Sequence, residues 1–435
     1  MVPRRSFLRA LTMPVAVGVA GCNTLTGDDS DGTPARGRLT TATPTTALTP
    51  TSTPNSGTVD PTETPTGTPS TTPTPTVAEV VGTPALTHGS GGGVDEFGRA
   101  VALSEESAVV VAEEHGAYVF EADDGWTETA VLKPDESEDF GGYNVSAAVV
   151  GDVALVGGPG ADSEPSGGAV YLFERVGGEW IQRHRFVSDD EDSYEFGRSV
   201  AFDGDRVVVG DAHDPETMVT WIGGAYVFEG DSTNWTQEAS LGTGAQDLFG
   251  TSVAIDGDAV LVGAPYAEPG EEQTGAVYVH ERVNGEWQRE TILSPAEPNG
   301  ESLFGRSVAL DGDTAVVGAP GTHGDKGSVY VFRRTGDDWI RQARVTAPNG
   351  GSNTDFGQSV AFVGDIAVVG APGAYGTGRA YVFRADDDWT GALRLVAADP
   401  HEDAEFGSAV AVSDTAALVG SPVFDGASAA YLFDV

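Results

Sequence analysis

From residue 79 onward the chain alternates short apolar runs, rich in valine, alanine and aromatic residues, with polar turns built from glycine and aspartate. The stretch beginning at Phe304 shows the pattern clearly: FGRSVALDGDTAVVGAPGTHGDKGSVYVFRRTGDDWIRQARVTAPNGG. Its β-branched and aromatic content predicts strands over 307–310, 314–317, 328–332 and 339–345 rather than helices. Asp311-Gly312 between the first two runs is a hairpin signal, of the kind a type I′ turn uses. The same unit recurs along the chain. Phe-Gly stands at Phe97, Phe140, Phe196, Phe249, Phe304, Phe356 and Phe406. A period of about 50 residues signals a propeller, a solenoid or an array. Four strands per unit, repeated radially, make a propeller blade. Each of the first six units adds a tryptophan just beyond its Tyr-Val-Phe-like strand: Trp126, Trp180, Trp235, Trp287, Trp339 and Trp389. The seventh unit ends at Val435 and lacks this last strand. Residues near 80–88 precede the first Phe-Gly as a fourth strand precedes the others, so they are expected to complete the last blade and close the ring. The fold class is therefore all-β, a seven-bladed β-propeller of four-stranded blades over residues 79–435.

Charge changes the picture of the surroundings. The 435 residues carry 23 Lys+Arg against 66 Asp+Glu, a formal net charge of −43. Such a field repels nucleic acid and anionic membrane surfaces. Lys133 and Lys326 are the only lysines. In molar salt the screening length falls to about 3 Å, so a carboxylate excess of this size suits a protein working in concentrated brine. A haloarchaeal source is the expectation.

The N-terminal segment, residues 1–78, has the composition of an address and a spacer. Arg4-Arg5-Ser6-Phe7-Leu8 followed by the apolar run to Gly21 resembles a Tat export signal, and Val19-Ala20-Gly21-Cys22 resembles a lipobox. Residues 1–21 are thus expected to be a signal peptide, with the sole cysteine, Cys22, lipidated and holding the chain to the outer face of the membrane. A single cysteine excludes an intramolecular disulfide. Residues 23–78 hold 20 threonines, 9 prolines and no aromatic residue. That composition buries too little apolar area to fold, so 22–78 is expected to be a disordered Thr/Pro linker, a stalk.

Phe-Gly followed by Gly-Ala-Pro, at Gly263-Ala264-Pro265, Gly318-Ala319-Pro320 and Gly370-Ala371-Pro372, resembles the FG-GAP repeat that builds the propeller of integrin α subunits. Gly157-Gly158-Pro159 and Gly420-Ser421-Pro422 are relaxed versions; blade three has Gly210-Asp211-Ala212 and blade one Val111-Ala112-Glu113. The resemblance implies a binding module whose ligand meets the face carrying the loops between blades (4–1) and between second and third strands (2–3). Some members bind calcium through a long acidic loop between the first two strands. The turns here, such as Asp203-Gly204-Asp205, Asp256-Gly257-Asp258 and Asp311-Gly312-Asp313, are too short to supply the six to eight oxygens that calcium takes. No cofactor is predicted.

Several groups remain as site candidates. Asp189, Asp190 and Asp192, in the acidic loop before blade three, are the best ligands for a divalent cation or a basic partner. Arg99, Arg198 and Arg306 follow Phe-Gly at the start of innermost strands. They form either a channel ring for an anion such as sulfate or a carboxylate, or pairs with the adjacent acidic loops. Gly142 is read as the corresponding residue of blade two. Asn144 and Asn234 fit the glycosylation pattern. The histidines show no metal-ligand spacing, and His280 replaces the phenylalanine of a Tyr-Val-Phe strand. No nucleophile elbow, phosphate loop or zinc pattern occurs. The expectation is a monomeric, non-catalytic surface recognition or adhesion module for an extracellular protein or glycan. A propeller enzyme using the central channel, or a purely structural envelope component, are the alternatives.

Overall fold

A computed structural model describes residues 78–82, 84–87, 96–112, 115–135, 140, 144–160, 167–190, 193, 195–212, 223–231, 234–243, 247–270, 272–295, 302–322, 326–348, 351, 353–422 and 428–435. Arg4, Arg5, Cys22 and the Thr/Pro segment lie outside them. The described chain folds into seven antiparallel sheets at 100–132, 146–186, 196–241, 252–293, 307–345, 360–397 and 410–434. These are the blades, one to seven. The only helical pieces among the described residues are three short 3₁₀ turns.

The first two strands of the chain sit apart from this order. β1 (Ala78–Gly82) pairs in parallel with the fourth strand of blade six, Leu393–Ala397. β2 (Pro84–Leu86) pairs antiparallel with the last strand, Ala429–Asp434, and completes blade seven. Residues 84–86 thus close the ring as the sequence indicated. Residues 80–82 instead add a fifth strand to blade six.

Ring closure is visible in the core. Each hydrophobic cluster joins two successive blades, and one unites Val410-flanked blade seven residues Ala409 and Leu418 with Val101 and Val110 of blade one. Blade six shows why. Ala361, Val363 and Val368 face blade seven, while Val360, Phe362 and Val369 face blade five. Alternate side chains meet different neighbours, so both faces of the inner strands are dry, and the strands read as unbroken apolar runs.

The repeat motif has a steric cause, seen between blades four and five. Gly305, of Phe304-Gly305, sits at φ +89°, and its carbonyl accepts the Ser252 hydroxyl at 2.9 Å. Gly263, which opens Gly-Ala-Pro, pairs with Ser252 and lies beneath that carbonyl. A Cβ on Gly263 would stand 2.1 Å from the Gly305 oxygen. The Phe-Gly of one blade is therefore seated on the Gly-Ala-Pro of the preceding one. Ser146, Ser199, Ser307 and Ser359 repeat the bond to the next blade. Each Phe also stands 5.3–5.6 Å from the tyrosine of its own third strand, at a tilted or edge-on angle.

Two local readings are corrected. In blade two Ser146 pairs with Gly157 as Ser252 pairs with Gly263. The residue matching Arg99 and Arg198 is therefore Val145, not Gly142, because three additional residues follow Phe140-Gly141. The turn after the first strand of blade five has Gly312-Asp313 at its centre, since Asp311 already pairs with Thr314. Gly312 has φ +54° and Asp313 is not in the left-handed region, the φ pattern of a type II′ rather than a type I′ turn.

Candidate recognition face

The 4–1 and 2–3 loops share the face at which the innermost strands begin. At the start of six of the seven blades the described chain makes a four-residue turn around Phe-Gly, closed by one backbone hydrogen bond. The amide of Arg99 donates to the Glu96 carbonyl at 3.1 Å, and Arg198 to Glu195, Thr251 to Leu248, Arg306 to Leu303, Gln358 to Asp355 and Ser408 to Glu405 follow suit. Glu96, Leu248, Leu303, Asp355 and Glu405 are held in the left-handed region to make this turn, which costs a non-glycine residue energy.

Blades six and seven concentrate such backbone. Asn353, Asp355, Tyr375, Asp403 and Glu405 all have positive φ and lie on three neighbouring loops. The loops are tied together: the Asp403 amide donates to the Gly376 carbonyl at 2.9 Å, and Gly378 bridges to Phe406. Tyr375 is 55% exposed at the tip of the 2–3 loop. Arg379 lies against its ring, 5.2 Å from the centroid, and donates to the Thr377 hydroxyl at 2.7 Å. Beside it, burial holds the Glu405 carboxyl above the usual carboxylate range, a shift opposed by Arg99 and reinforced by Glu96, Asp355 and Asp403. The face here combines an exposed aromatic ring, one guanidinium stacked on it, and a rim of mutually repelling carboxylates.

The arginines of the channel start are engaged. Arg99 is buried, with Glu96 and Glu405 oxygens each 4.0 Å away. Arg198 is buried, pairs with Glu195 and donates to the Ala212 carbonyl at 3.2 Å. Arg306 is half-buried. Asp189 and Asp190 are exposed, and Asp192 lies outside the described residues. Among the described residues no three His, Cys, Asp or Glu side chains come together as a metal-binding group. Asn144 is half-buried and Asn234 is exposed at the start of the fourth strand of blade three.

Other acidic residues of these loops anchor the scaffold. Asp399 accepts the Tyr431 hydroxyl at 2.8 Å; burial first, and then this bond and the Asp399 charge, push that phenol up. Asp247 accepts the Thr243 hydroxyl at 2.8 Å and the Phe249 amide at 3.2 Å; burial raises its carboxyl. The residue before Phe-Gly is acidic at Glu96, Asp139, Glu195, Asp355 and Glu405. That recurrence was the sequence signal for the rim. Tyr375 had none, since its exposure depends on how the loop folds.

The opposite face is stitched blade to blade. Asp256 accepts the Gly312 amide at 2.6 Å and Asp311 accepts the Gly364 amide. Glu105 accepts the Asp414 amide at 2.9 Å across the closing seam. Arg175 meets Glu121 at 2.8 Å, Arg282 meets Glu229 at 3.4 Å, and Arg334 meets Glu281. A cleft of about 410 Å³ between blades four and five is lined by these paired groups, Asp256, Glu281, Arg282 and Arg334 among them. No helix of the described residues is long and apolar enough to cross a membrane.

None of the curated proteins matches the chain. Among solved structures it is similar to the computationally designed Ika8 protein, with 15% identity over 81% of this chain and 99% of that one and a TM-score of 0.46. A likeness that loose carries no argument. The FG-GAP repeat model matches residues 180–228, 235–280, 287–332, 339–383 and 389–433, just over half of the chain. Each match runs from the outer strand of one blade through the third strand of the next and holds that next blade's own Phe-Gly and Gly-Ala-Pro position, so the contact described above joins successive matches. The unmatched part holds the blade with Val111 in place of the glycine and the blade with the three-residue insertion. The chain belongs to the FG-GAP repeat family.

Proposed function

We propose that this protein is a non-catalytic recognition module displayed outside the cell. In this reading the chain is exported by its twin-arginine signal, anchored through lipid on Cys22, and lifted on the Thr/Pro stalk. The ligand, an extracellular protein or glycan, meets the 4–1/2–3 face around blades six and seven. The observation that carries the reading is that Asn353, Tyr375 and Asp403 add left-handed backbone beyond the Phe-Gly turn that other blades share, with the Tyr375 ring itself exposed. Strain of this kind persists where a rigid surrounding over-determines it, and it concentrates at binding sites. The rest of the ring supplies the rigidity, and loops on such a scaffold carry recognition. Catalysis is left out because the sequence offers no nucleophile paired with a base.

The test is capture of cell-surface protein and glycan fractions by the purified chain in concentrated salt, with Tyr375→Ala as the comparison. The wild-type chain is expected to retain a defined component, and Tyr375→Ala to lose at least about tenfold in affinity, a single aromatic contact of some 1.4 kcal/mol. Equal binding by both would remove the ligand from this face, and turnover of a substrate in an activity screen would replace the reading with an enzyme. Calcium is no part of it: adding a chelator is expected to leave the melting temperature unchanged.

A further inference from the structure

Blade six is the only sheet of the described residues with five strands, and the extra strand comes from the wrong end of the chain. β1 makes five consecutive in-register pairs with the outer strand of blade six, Ala78 with Leu393 through Gly82 with Ala397. Glu79 forms an ion pair with Arg394. Val80 packs against the core shared by blades six and seven. Gly82 lies flat on the Phe433 ring, where a Cβ would stand 2.4 Å from two of its carbons. After Thr83 alone, β2 begins on the next blade. There the closure among the described residues is thin: two pairs, Pro84 with Tyr431 and Leu86 with Ala430, with an irregularity between them. Leu86, fully buried between blades seven and one, is its described apolar contact.

The order of these two strands matters because every load arriving from the N-terminal segment meets β1 before β2. A pull along the axis of β1 shears all five pairs, the Glu79–Arg394 bridge and the Val80 contact together. The same pull applied directly to β2 meets two pairs. Forced opening is governed by the rate of the weakest loaded step, so the position of the stronger pairing upstream sets what the ring withstands.

We propose that β1 is a load-bearing clasp: tension entering through the N-terminal segment is taken up on blade six and is kept from the two-pair closure of blade seven. The inference rests on the reading that the chain is tethered through that segment, but its test does not. Lipid on Cys22, sought by mass spectrometry of the membrane fraction, examines the tether by itself.

The clasp is examined by pulling the unlipidated chain, residues 22–435 produced without the export signal, in magnetic tweezers, with one handle on the free Cys22 thiol and the other on a labelled peptide inserted between the exposed Gly177 and Gly178. A second chain, Cys22→Ser/Gly91→Cys, moves the first handle past both strands. At fixed force Glu79→Arg is expected to open the ring about tenfold faster when pulled from Cys22, as a loss of some 1.4 kcal/mol on the unfolding limb requires. The charge swap Glu79→Arg/Arg394→Glu is expected to restore the wild-type rate, and Val80→Ser to accelerate opening in the same way. Pulled from Gly91→Cys, all four chains are expected to open at one rate. Equal acceleration from both handles would make β1 a general stabiliser and overturn the proposal. Release of β1 as a separate event at lower force than blade seven would overturn it as well.

Discussion

His280 occupies the place where the other blades hold Phe120, Phe173, Phe228, Phe332, Phe383 and Phe433 against the Phe-Gly ring. It is buried, its Nδ1 has no hydrogen-bond partner, and burial with the nearby Arg289 charge lowers its pKa to about 4. Because the folded pKa is depressed, the neutral ring contributes its full stability above the ordinary value near 6.5, and that contribution drains away as pH falls toward 4. His280→Phe removes both the orphaned nitrogen and the titration. It is expected to stabilise the fold by about 1–3 kcal/mol at neutral pH. Its advantage in melting temperature over wild type is expected to widen between pH 6.5 and 4.5; a constant difference would mean that the imidazole is not the titrating group. The sequence singled out His280 as a packing residue, and the structure buries it edge-on to Phe249.

Between blades the unit of cohesion is one serine, one carbonyl and one glycine. Ser252→Ala removes a hydroxyl that donates to the Gly305 carbonyl. Alanine already stands at the same position in blades one and seven, Ala100 and Ala409, so the change is expected to cost only about 1 kcal/mol, the net worth of a hydrogen bond. Gly263→Ala is expected to cost more, about 1–3 kcal/mol, because its methyl would overlap the next blade's backbone, which has no rotamer to yield. Denaturant titration of the two variants ranks them, and a Gly263→Ala as mild as Ser252→Ala would refute the steric account of the motif. Blade one tolerates Val111 at this position where the following blade carries its three-residue insertion. The carboxylates of the short turns belong to this scale too. The sequence read Asp256 and Asp311 as parts of turns too short for calcium, and each caps the amide of the neighbouring blade's turn glycine, Gly312 and Gly364.

The whole ring carries a net charge of −43 that no single partner accounts for. Burial holds the carboxyls of Asp203, Asp247, Asp311 and Glu405 above their ordinary range. For a carboxyl raised on folding, the stability it contributes is present below the unfolded pKa and lost as pH rises through the folded one. Acidification from neutral pH toward the ordinary carboxylate range therefore returns stability, and it also lowers the general repulsion. In dilute buffer the melting temperature is expected to rise over that interval, while His280 pulls weakly the other way. In molar salt, where the screening length is about 3 Å, the whole curve is expected to sit higher and flatter. A melting temperature that is as high in dilute buffer at pH 7 as in brine would end the reading of salt adaptation.

Periodicity was enough for the number of blades, the four-strand unit and the need for an N-terminal strand to close the ring, because Phe-Gly, the third-strand tyrosine and the outer tryptophan each recur at a fixed place in every unit that has them. It also put Arg99, Arg198 and Arg306 directly after Phe-Gly, where the innermost strands begin. What it could not give is whom a side chain meets across a blade boundary, since those partners are about 50 residues apart and related only by the rotation of the ring. Glu96 and Glu405 flank Arg99 from opposite ends of the chain. Tyr375 becomes a candidate contact only once its loop places it in the open. The split of residues 78–86 between two blades likewise follows from the closed ring: the returning chain meets the edge of blade six before it reaches the gap in blade seven, and a free strand edge accepts the backbone that arrives there.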